Sequence, residues 1–451
     1  MGGFLLIFLV LFPMAGAVAG YLTGRKNKSA RDWLVLAVTV VELLGALLLL
    51  YFPGATLRLD GICGLGLTFQ ADGFRMVMAL LTAAVWMMTT LPSRSYFAHA
   101  RNRNRYYLFL LLALGATMGI FLSGDLYTTF IFFEMMSFAS YVWVVQEETP
   151  EAVSASRSYL TIGVLGGLVT LMGVFLLYHL AGTLQLDALR DACAAVENRR
   201  LLYAAGGCIL FGFAAKAGMF PLHFWMPRSY TAAPAPATAI LSAVLSKAGI
   251  FGVLIVSCDM FYRDADWGML ILMLGVVTML LGAVFGLFSV NLKRTLACSS
   301  MSQIGFILVG VGMQGLLGAH NQLAVYGTVL HMINHSLIKL ILFVIAGVIF
   351  TRVGSLDLNE IRGWGRGKPL VMFCFFMAAV GVGGIPLWSG YISKTLLHES
   401  IVEYIEILSA QGGAGLMRTV EWLFLIAGGM TLAYMTKLFV AVFLEKKPGS
   451  E

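Results

Sequence analysis

Four lysines stand in stretches that are otherwise lipid-soluble. Lys216 and Lys247 flank the proline-bearing run "GMFPLHFWMPRSYTAAPAPATAILSAVLS". Lys339 follows His331 and His335 at four-residue steps in "VLHMINHSLIKLILF", and Lys394 closes "GGIPLWSGYISK". Glu134 is the carboxylate set deep in "LYTTFIFFEMMSFASYVW". A charge at the centre of a spanning helix costs about 2.5–3.5 kcal/mol on insertion scales, and such groups commonly mark ion or proton pathways. Burial disfavours whichever form is charged, while a nearby opposite charge restores it. Two unit charges 4 Å apart interact by roughly 4 kcal/mol at an effective dielectric near 20. That is worth about three pKa units at ~1.36 kcal/mol each. A lysine whose charge depends on whether Glu134 is near is therefore a proton switch. His331, His335 and Lys339 share one helix face, and imidazoles supply steps that titrate near neutrality.

Three plainer readings stand beside that one. A single buried lysine can belong to a locked structural ion pair. The two histidines can be structural hydrogen-bonding groups. An i, i+4 histidine pair can also hold zinc, but "HMINH" lacks the glutamate of HExxH and a third ligand. Arg75 and Lys437 lie nearer span ends, where they can reach the interface, and a structural role suits both.

The elements that carry these residues follow from composition. Of 451 residues 59% are hydrophobic and 12% charged, against roughly 25% charged in soluble domains. Mean hydropathy is +0.86. Apolar segments recur at the length of about 20 residues that crosses ~30 Å of hydrocarbon. They predict an all-α polytopic membrane protein with about thirteen spans, at 2–22, 33–52, 73–91, 106–122, 126–145, 158–181, 203–220, 236–257, 267–289, 295–313, 320–350, 370–397 and 421–444. The first reads as a transmembrane helix, not as a cleaved signal peptide. The eleventh and twelfth are too long for one straight crossing. Pro221 and Pro386 sit at the seventh and in the twelfth, and Pro234 and Pro236 interrupt the run before the eighth. Broken helices lining a cavity fit better there than kinks. Leu184–Arg200 has its apolar residues near one face, as a short amphipathic helix on the outer surface.

With the N-terminus outside, eighteen of the 30 Lys and Arg fall in inner loops, Arg101 and Lys447 among them. Six fall in outer loops and six within spans. The positive-inside rule then places the C-terminus in the cytoplasm of a cell whose inner (plasma) membrane holds the chain. The net charge of +7 is thus topological and does not imply nucleic acid. The six cysteines (Cys63, Cys193, Cys208, Cys258, Cys298 and Cys374) form no CxxC. That argues against an iron–sulfur, zinc or disulfide framework. No glycine-rich nucleotide loop, cofactor site or catalytic redox site is evident in the chain.

"GMFPL" at Gly218–Leu222 and "GGIPL" at Gly383–Leu387 share G-x-x-P-L at an offset of 165 residues, and "MS" recurs at 136 and 301. The offset spans five crossings, an odd number, so a duplication would be inverted, as in transporters built on broken helices. The chain divides accordingly into N-terminal helices 1–105, a first repeat 106–257, an inverted second repeat 258–444 and a short cytoplasmic tail 445–451.

From about Phe69 to Leu444 the sequence resembles a known family. This is the antiporter-like subunits shared by Mrp-type Na+/H+ antiporters, respiratory complex I (NADH:quinone oxidoreductase) and membrane-bound hydrogenases. "LSGDLYTTFIFFEMMSFASY" resembles its fifth helix, and "KAGMFPLHFWMPRSYTAAPAPATAILSAVLSKAG" its broken seventh and its eighth. "KRTLACSSMSQIGF" and "HMINHSLIKLILFVIAGVI" resemble the tenth and eleventh, and "GGIPLWSGYISK" the broken twelfth. The resemblance implies that Glu134 is the pathway glutamate, Lys216 its partner and Lys247 the relay lysine. It places His331, His335 and Lys339 on the central axis and Lys394 at the exit-side position, where some relatives carry glutamate. Two departures stand out: members commonly have a fourteenth helix, and the largest complex I type has a long lateral helix. The nearest likeness is to the D-type Mrp subunit or the mid-sized complex I and hydrogenase subunits. The expected function is proton translocation inside a larger complex of membrane subunits, driven by a sodium gradient or by redox partners. Whether Na+ itself is carried stays open. The alternatives are an enzyme subunit acting directly in quinone or hydrogen redox chemistry, and a non-transporting membrane scaffold.

Overall fold

The computed structural model describes residues 1–62, 64–98, 100 and 102–446. Cys63, Arg101, Lys447 and the remainder of the tail lie outside the described residues. Helices α1 (Gly2–Lys26) and α2 (Lys28–Leu49) meet at Asn27, whose side chain accepts the amides of Ser29 and Ala30. This satisfies donors that a helix start leaves orphaned. A small antiparallel hairpin follows, pairing β1 (Thr56–Leu59) with β2 (Leu67–Gln70), Thr56 opposite Gln70. It is a departure from an all-helical chain. Its strands alternate polar and apolar residues, and glycines at positive φ (Gly61, Gly64, Gly66) turn the loop between them.

Next come α3 (Gly73–Tyr96), α4 (Arg103–Phe121), α5 (Leu126–Val144) and α6 (Pro150–Ala181). Side chains of Asp72, Asp125 and Thr149 cap α3, α5 and α6. The short α7 (Leu186–Ala194) buries Leu186, Leu189 and Cys193 and leaves its charged residues out, the amphipathic pattern read from its spacing. Helix α8 (Arg199–Ala217) ends at the first proline break, a 3-10 turn at Leu222–Phe224 leads into α9 (Trp225–Ala232), and α10 (Ala235–Ile240) follows. Pro234 separates α9 from α10. Pro236 lies in the first turn of α10, where a missing amide breaks no helical bond. A π-turn at Leu241–Leu245 joins α10 to α11 (Ser246–Leu254), and a second π-turn ends it.

The chain then continues through α12 (Ala265–Phe288), α13 (Leu292–Leu317), α14 (Gln322–Val353), α15 (Pro369–Gly383), α16 (Ser389–Ala410) and α17 (Gly415–Phe439). The over-long eleventh span is not broken. Gln322–Val353 is one continuous helix of 32 residues with no proline, about 48 Å at 1.5 Å per residue. Such a helix tilts or extends past a ~30 Å core. The twelfth is broken: α15 stops at Gly383, Gly384 has φ of 79°, and α16 starts only after Pro386.

Eleven helical segments among the described residues are long and apolar enough to cross a membrane. The chain is thus a multi-pass helical membrane protein. The expected fifth and twelfth spans are not among the eleven. The fifth, α5, carries Glu134 and several hydroxyls, and the twelfth is split into two helices.

The chain forms two compact units. The first comprises Met1–Lys216 and Ala232–Met260, the second Ala217–Thr231 and everything from Phe261 onward. Glycines let helices approach backbone to backbone within each. In the second unit Gly268, Gly275 and Gly282 of α12, seven residues apart, face the backbone of α13. The resulting seam holds α13 at the centre, where its apolar window is wholly buried. In the first unit Gly166 of α6 lies against Gly212 of α8.

Candidate functional site

In the first unit the sequence places Glu134 and Lys216 on α5 and α8, with α6 packed against both. The Glu134 carboxylate rests on the Cα of Gly167 in α6. A Cβ there would lie 2.5–2.6 Å from all three atoms of the carboxylate group. Glu134 is half-buried, and its Oε1 has no hydrogen-bond partner among the described residues.

Lys216 is 7% exposed at the end of α8, just before the break. It makes no ion pair with Glu134 within 4.0 Å among the described residues. Its ammonium instead donates to the Tyr159 hydroxyl and, at 3.5 Å, to Ser140 Oγ. It also lies 4.4 Å from the centre of the Tyr159 ring, a cation–π geometry. Ser140 Oγ and Tyr159 OH are 2.5 Å apart.

Lys247 is fully buried on α11, and its Nζ donates to the Ser242 carbonyl at 2.7 Å. The acceptor lies five residues back, inside the π-turn. A π-turn shifts the ladder of helical bonds, so a carbonyl becomes available to a side chain. The same logic recurs in the second unit. Lys394 on α16 donates to the Val382 carbonyl at 2.9 Å, in the last turn of α15, where the break leaves carbonyls without helical partners. Its ammonium also lies 4.6 Å from the Phe306 ring centre. Lys339 donates to the Leu296 carbonyl of α13 at 2.9 Å.

His331, His335 and Lys339 are 2%, 1% and 0% exposed on one face of α14. The two imidazoles are parallel to within 5°, their centres 6.5 Å apart. His331 Nε2 meets Gln303 Oε1 and Nδ1 meets Ser393 Oγ, each at 3.0 Å. Gln303 gives its amide to Thr431. Gln303 Oε1 can only accept, so His331 Nε2–H donates to it, while the role of Nδ1 toward Ser393 follows the tautomer.

The structure thus places Glu134, Lys216 and Lys247 in the first unit, and His331, His335, Lys339 and Lys394 in the second. Pro221 and Pro386 each lie in a break that opens with a left-handed glycine, Gly218 or Gly384. Arg75 and Lys437 are each tied to groups at helix ends. Arg75 pairs with Asp72 and donates to the Ser123 carbonyl at 2.9 Å. Lys437 donates to the carbonyls of Gly286, Leu287 and Ser289 at the end of α12.

Sequence reasoning missed the hydroxyl and amide partners Tyr159, Ser140, Gln303 and Ser393, which carry no signal of their own in an apolar run. It also passed over Glu42 of α2, which is fully buried with no hydrogen-bond partner for either oxygen among the described residues. A carboxylate inside an apolar span was a sufficient signal. No group of three His, Cys, Asp or Glu among the described residues could hold a metal ion.

Comparison with known proteins adds to this geometry. The family model described as NADH:quinone oxidoreductase/Mrp antiporter, TM matches residues 123–418. The D-type Na(+)/H(+) antiporter subunit of Alkalihalophilus pseudofirmus is 30% identical over 388 residues, covering 86% of this chain and 75% of that protein. Hydrogenase-4 component B of Escherichia coli is 27% identical over 390 residues, covering 84% of this chain and 57% of that protein. Among solved structures, the Mrp complex from Dietzia has a chain that superposes with a TM-score of 0.86 at 24% identity. That match covers 100% of this chain and 82% of the other, and shows the fold.

Proposed function

The chain belongs to the NADH:quinone oxidoreductase/Mrp antiporter transmembrane family, and from that premise we propose that it is the proton-translocating subunit of a multisubunit ion-pumping complex. Protons pass between Glu134 and Lys216, on through Lys247 to His331, His335 and Lys339, and leave by Lys394. The five-helix segments that carry the two breaks act as inverted repeats, with the N-terminus outside and the C-terminus cytoplasmic. The partners are further membrane subunits, and the driving force is a sodium gradient or redox chemistry in those partners.

One observation carries the reading. Lys216, Lys339 and Lys394 are at most 8% exposed, and none has a carboxylate within ion-pair distance among the described residues. Locked structural ion pairs would pair each buried charge, because an unpaired one is costly. Lysines bound by hydroxyls and carbonyls can take up and release a proton without breaking such a pair.

Two experiments test the proposal. Lys216→Ala in the intact complex, reconstituted in vesicles, should abolish coupled proton transport while the protein remains inserted; normal pumping in that variant sinks the assignment. Purification of the complex from native membranes, with its subunits identified by mass spectrometry and iron quantified, decides the driving force. Iron–sulfur or flavin partners mean a redox-driven pump, and an iron-free set of small membrane subunits means a sodium-linked antiporter.

A further inference from the structure

Both ring nitrogens of His331 are engaged, and their two partners differ in what they can do with a proton. Gln303 on α13 meets Nε2 and Ser393 on α16 meets Nδ1, and both partners are buried. The carboxamide of Gln303 is itself fixed from behind. Thr431 of α17 gives its hydroxyl hydrogen to the Ala427 carbonyl at 2.9 Å, so toward Gln303 its oxygen can only accept. The Gln303 amino group therefore faces Thr431, at 3.4 Å, and its carbonyl oxygen faces the imidazole. An amide oxygen has no hydrogen to give and passes none onward, so Nε2 keeps its hydrogen whether the ring is neutral or charged.

Ser393 is placed to do the opposite. Its one hydroxyl hydrogen has two acceptors within reach, His331 Nδ1 at 3.0 Å and the Gly390 carbonyl of its own helix at 3.2 Å. Its oxygen receives the Asn334 amide at 3.3 Å, and that amide is anchored on the Ser389 carbonyl at 2.8 Å. Two complete arrangements result. With a neutral ring the hydroxyl donates to Nδ1. With a protonated ring Nδ1–H donates to the hydroxyl oxygen, and the hydroxyl hydrogen turns to Gly390. The imidazole nitrogens and the hydroxyl are satisfied in both, so neither arrangement carries the cost of an orphaned buried group.

We infer that His331 takes up and releases its proton at Nδ1 alone, with Gln303 as the positioning residue that pins the Nε2 hydrogen and the Ser393 hydroxyl as the switch that turns to Gly390 when the proton arrives. This rests on the proposed transport function and states how one station within it works. The step balances: one N–H bond forms at Nδ1 with a proton supplied by the pathway, the hydrogen bond between Nδ1 and Ser393 reverses direction, and no other covalent bond changes. His331 thus exchanges its proton on the α16 face, where Lys394 follows Ser393 along the helix, and is closed on the α13 face. A histidine that passes protons straight through needs both nitrogens open; this one holds a charge and returns it by the side on which it came.

The test is nitrogen NMR on the intact complex carrying isotope-labelled histidine, with His331→Gln identifying the His331 signals by their loss. Proton transport in vesicles, normalised to assembled protein, is measured beside it for Gln303→Leu, Ser393→Ala, Ser393→Thr and Lys216→Ala. In wild type, at a pH where the ring is neutral, the hydrogen is expected on Nε2 and not on Nδ1. Gln303→Leu removes the acceptor that pins it, so the tautomer with its hydrogen on Nδ1 should appear. Ser393→Ala should slow transport by about tenfold, the scale of one hydrogen bond to a charged group, and Ser393→Thr, which keeps the hydroxyl, should restore most of it. A wild-type neutral ring with its hydrogen on Nδ1 overturns the inference. So does wild-type transport by Ser393→Ala while Lys216→Ala is inactive. Wild-type transport by Lys216→Ala overturns the transport reading instead. If Gln303→Leu does not assemble, the wild-type tautomer and the Ser393 pair decide.

Discussion

Replacing Gly167 by alanine separates the position of Glu134 from the stability of the helix beneath it. The added Cβ would stand 2.5–2.6 Å from the Glu134 carboxylate, so the carboxylate must retreat by about 0.8 Å to reach ordinary contact. The group in the way is the free end of a flexible side chain, and it can retreat at little cost in packing. Alanine in place of glycine in a helix interior is itself favourable by about 1 kcal/mol. Assembly and thermal stability should therefore be unchanged or slightly improved. Transport should not be. A misplacement near 1 Å in a group that must meet its partner can cost on the order of 100-fold, and the expected fall is between about 10- and 100-fold. The assay is proton uptake by the reconstituted complex, normalised to assembled protein. Gly207→Ala on α8, where a Cβ meets nothing within 4 Å, is the neutral control. Adding Glu134→Asp withdraws the carboxylate by one bond of about 1.5 Å, so the double variant should recover part of the loss, a coupling that two independent defects would not show. Full transport by Gly167→Ala refutes the claim that the seat of Glu134 matters.

Three further outcomes follow from buried groups elsewhere. Glu42→Gln should assemble as well as wild type or better, since the volume is kept and no cation pairs with the carboxylate among the described residues; a loss above about 2 kcal/mol in thermal unfolding would show that a charge is needed there. Lys437→Met should cost about 1.5–3 kcal/mol by releasing three carbonyls at the end of α12, with transport per assembled complex unchanged; a transport defect at normal stability would move Lys437 into the pathway. Burial pushes the Cys193 thiol on the surface helix α7 up to about 11, so at pH 8 only about one thiol in a thousand is the reactive thiolate. Maleimide labelling of Cys193 should rise about tenfold per pH unit above that, and fast labelling at pH 8 would show that α7 does not bury it.

What the sequence made legible was whatever is out of place in hydrocarbon. Glu134, Lys216, Lys247, Lys339 and Lys394 stand out because ionisable groups in apolar spans are rare. The breaks at Pro221 and Pro386 stand out because proline and glycine interrupt an otherwise helical run. The partners of those charges do not. Tyr159, Ser140, Ser137 and Gln303 are polar residues of a kind scattered along many helices, and which of them faces Lys216 or His331 is decided by helix packing. That packing rests on glycines, and a glycine in an apolar run looks the same whether it seats a carboxylate, like Gly167, or meets nothing, like Gly207. The π-turn before Lys247 is invisible for a related reason. Leu241–Leu245 is buried all round, so no periodicity betrays the shift in register that exposes the Ser242 carbonyl.

The irregular backbone supplies acceptors to two of the four buried lysines. A regular helix uses its carbonyls on its own amides, so an ammonium beside it must share an oxygen already bonded, as Lys339 shares the Leu296 carbonyl inside α13. Here the π-turn gives Lys247 the Ser242 carbonyl, and the end of α15 gives Lys394 the Val382 carbonyl. Lys216 sits where the first unit ends, immediately before Gly218 and Pro221, yet it turns to hydroxyls on α5 and α6. Carbonyls solvate a cation in place; hydroxyls can also carry its proton away. The lysine nearest the carboxylate is thus bound by groups suited to transfer, and Lys339 and Lys394 have carbonyl acceptors suited to holding charge. That division is what a pathway needs if the Glu134–Lys216 step is where conduction is switched.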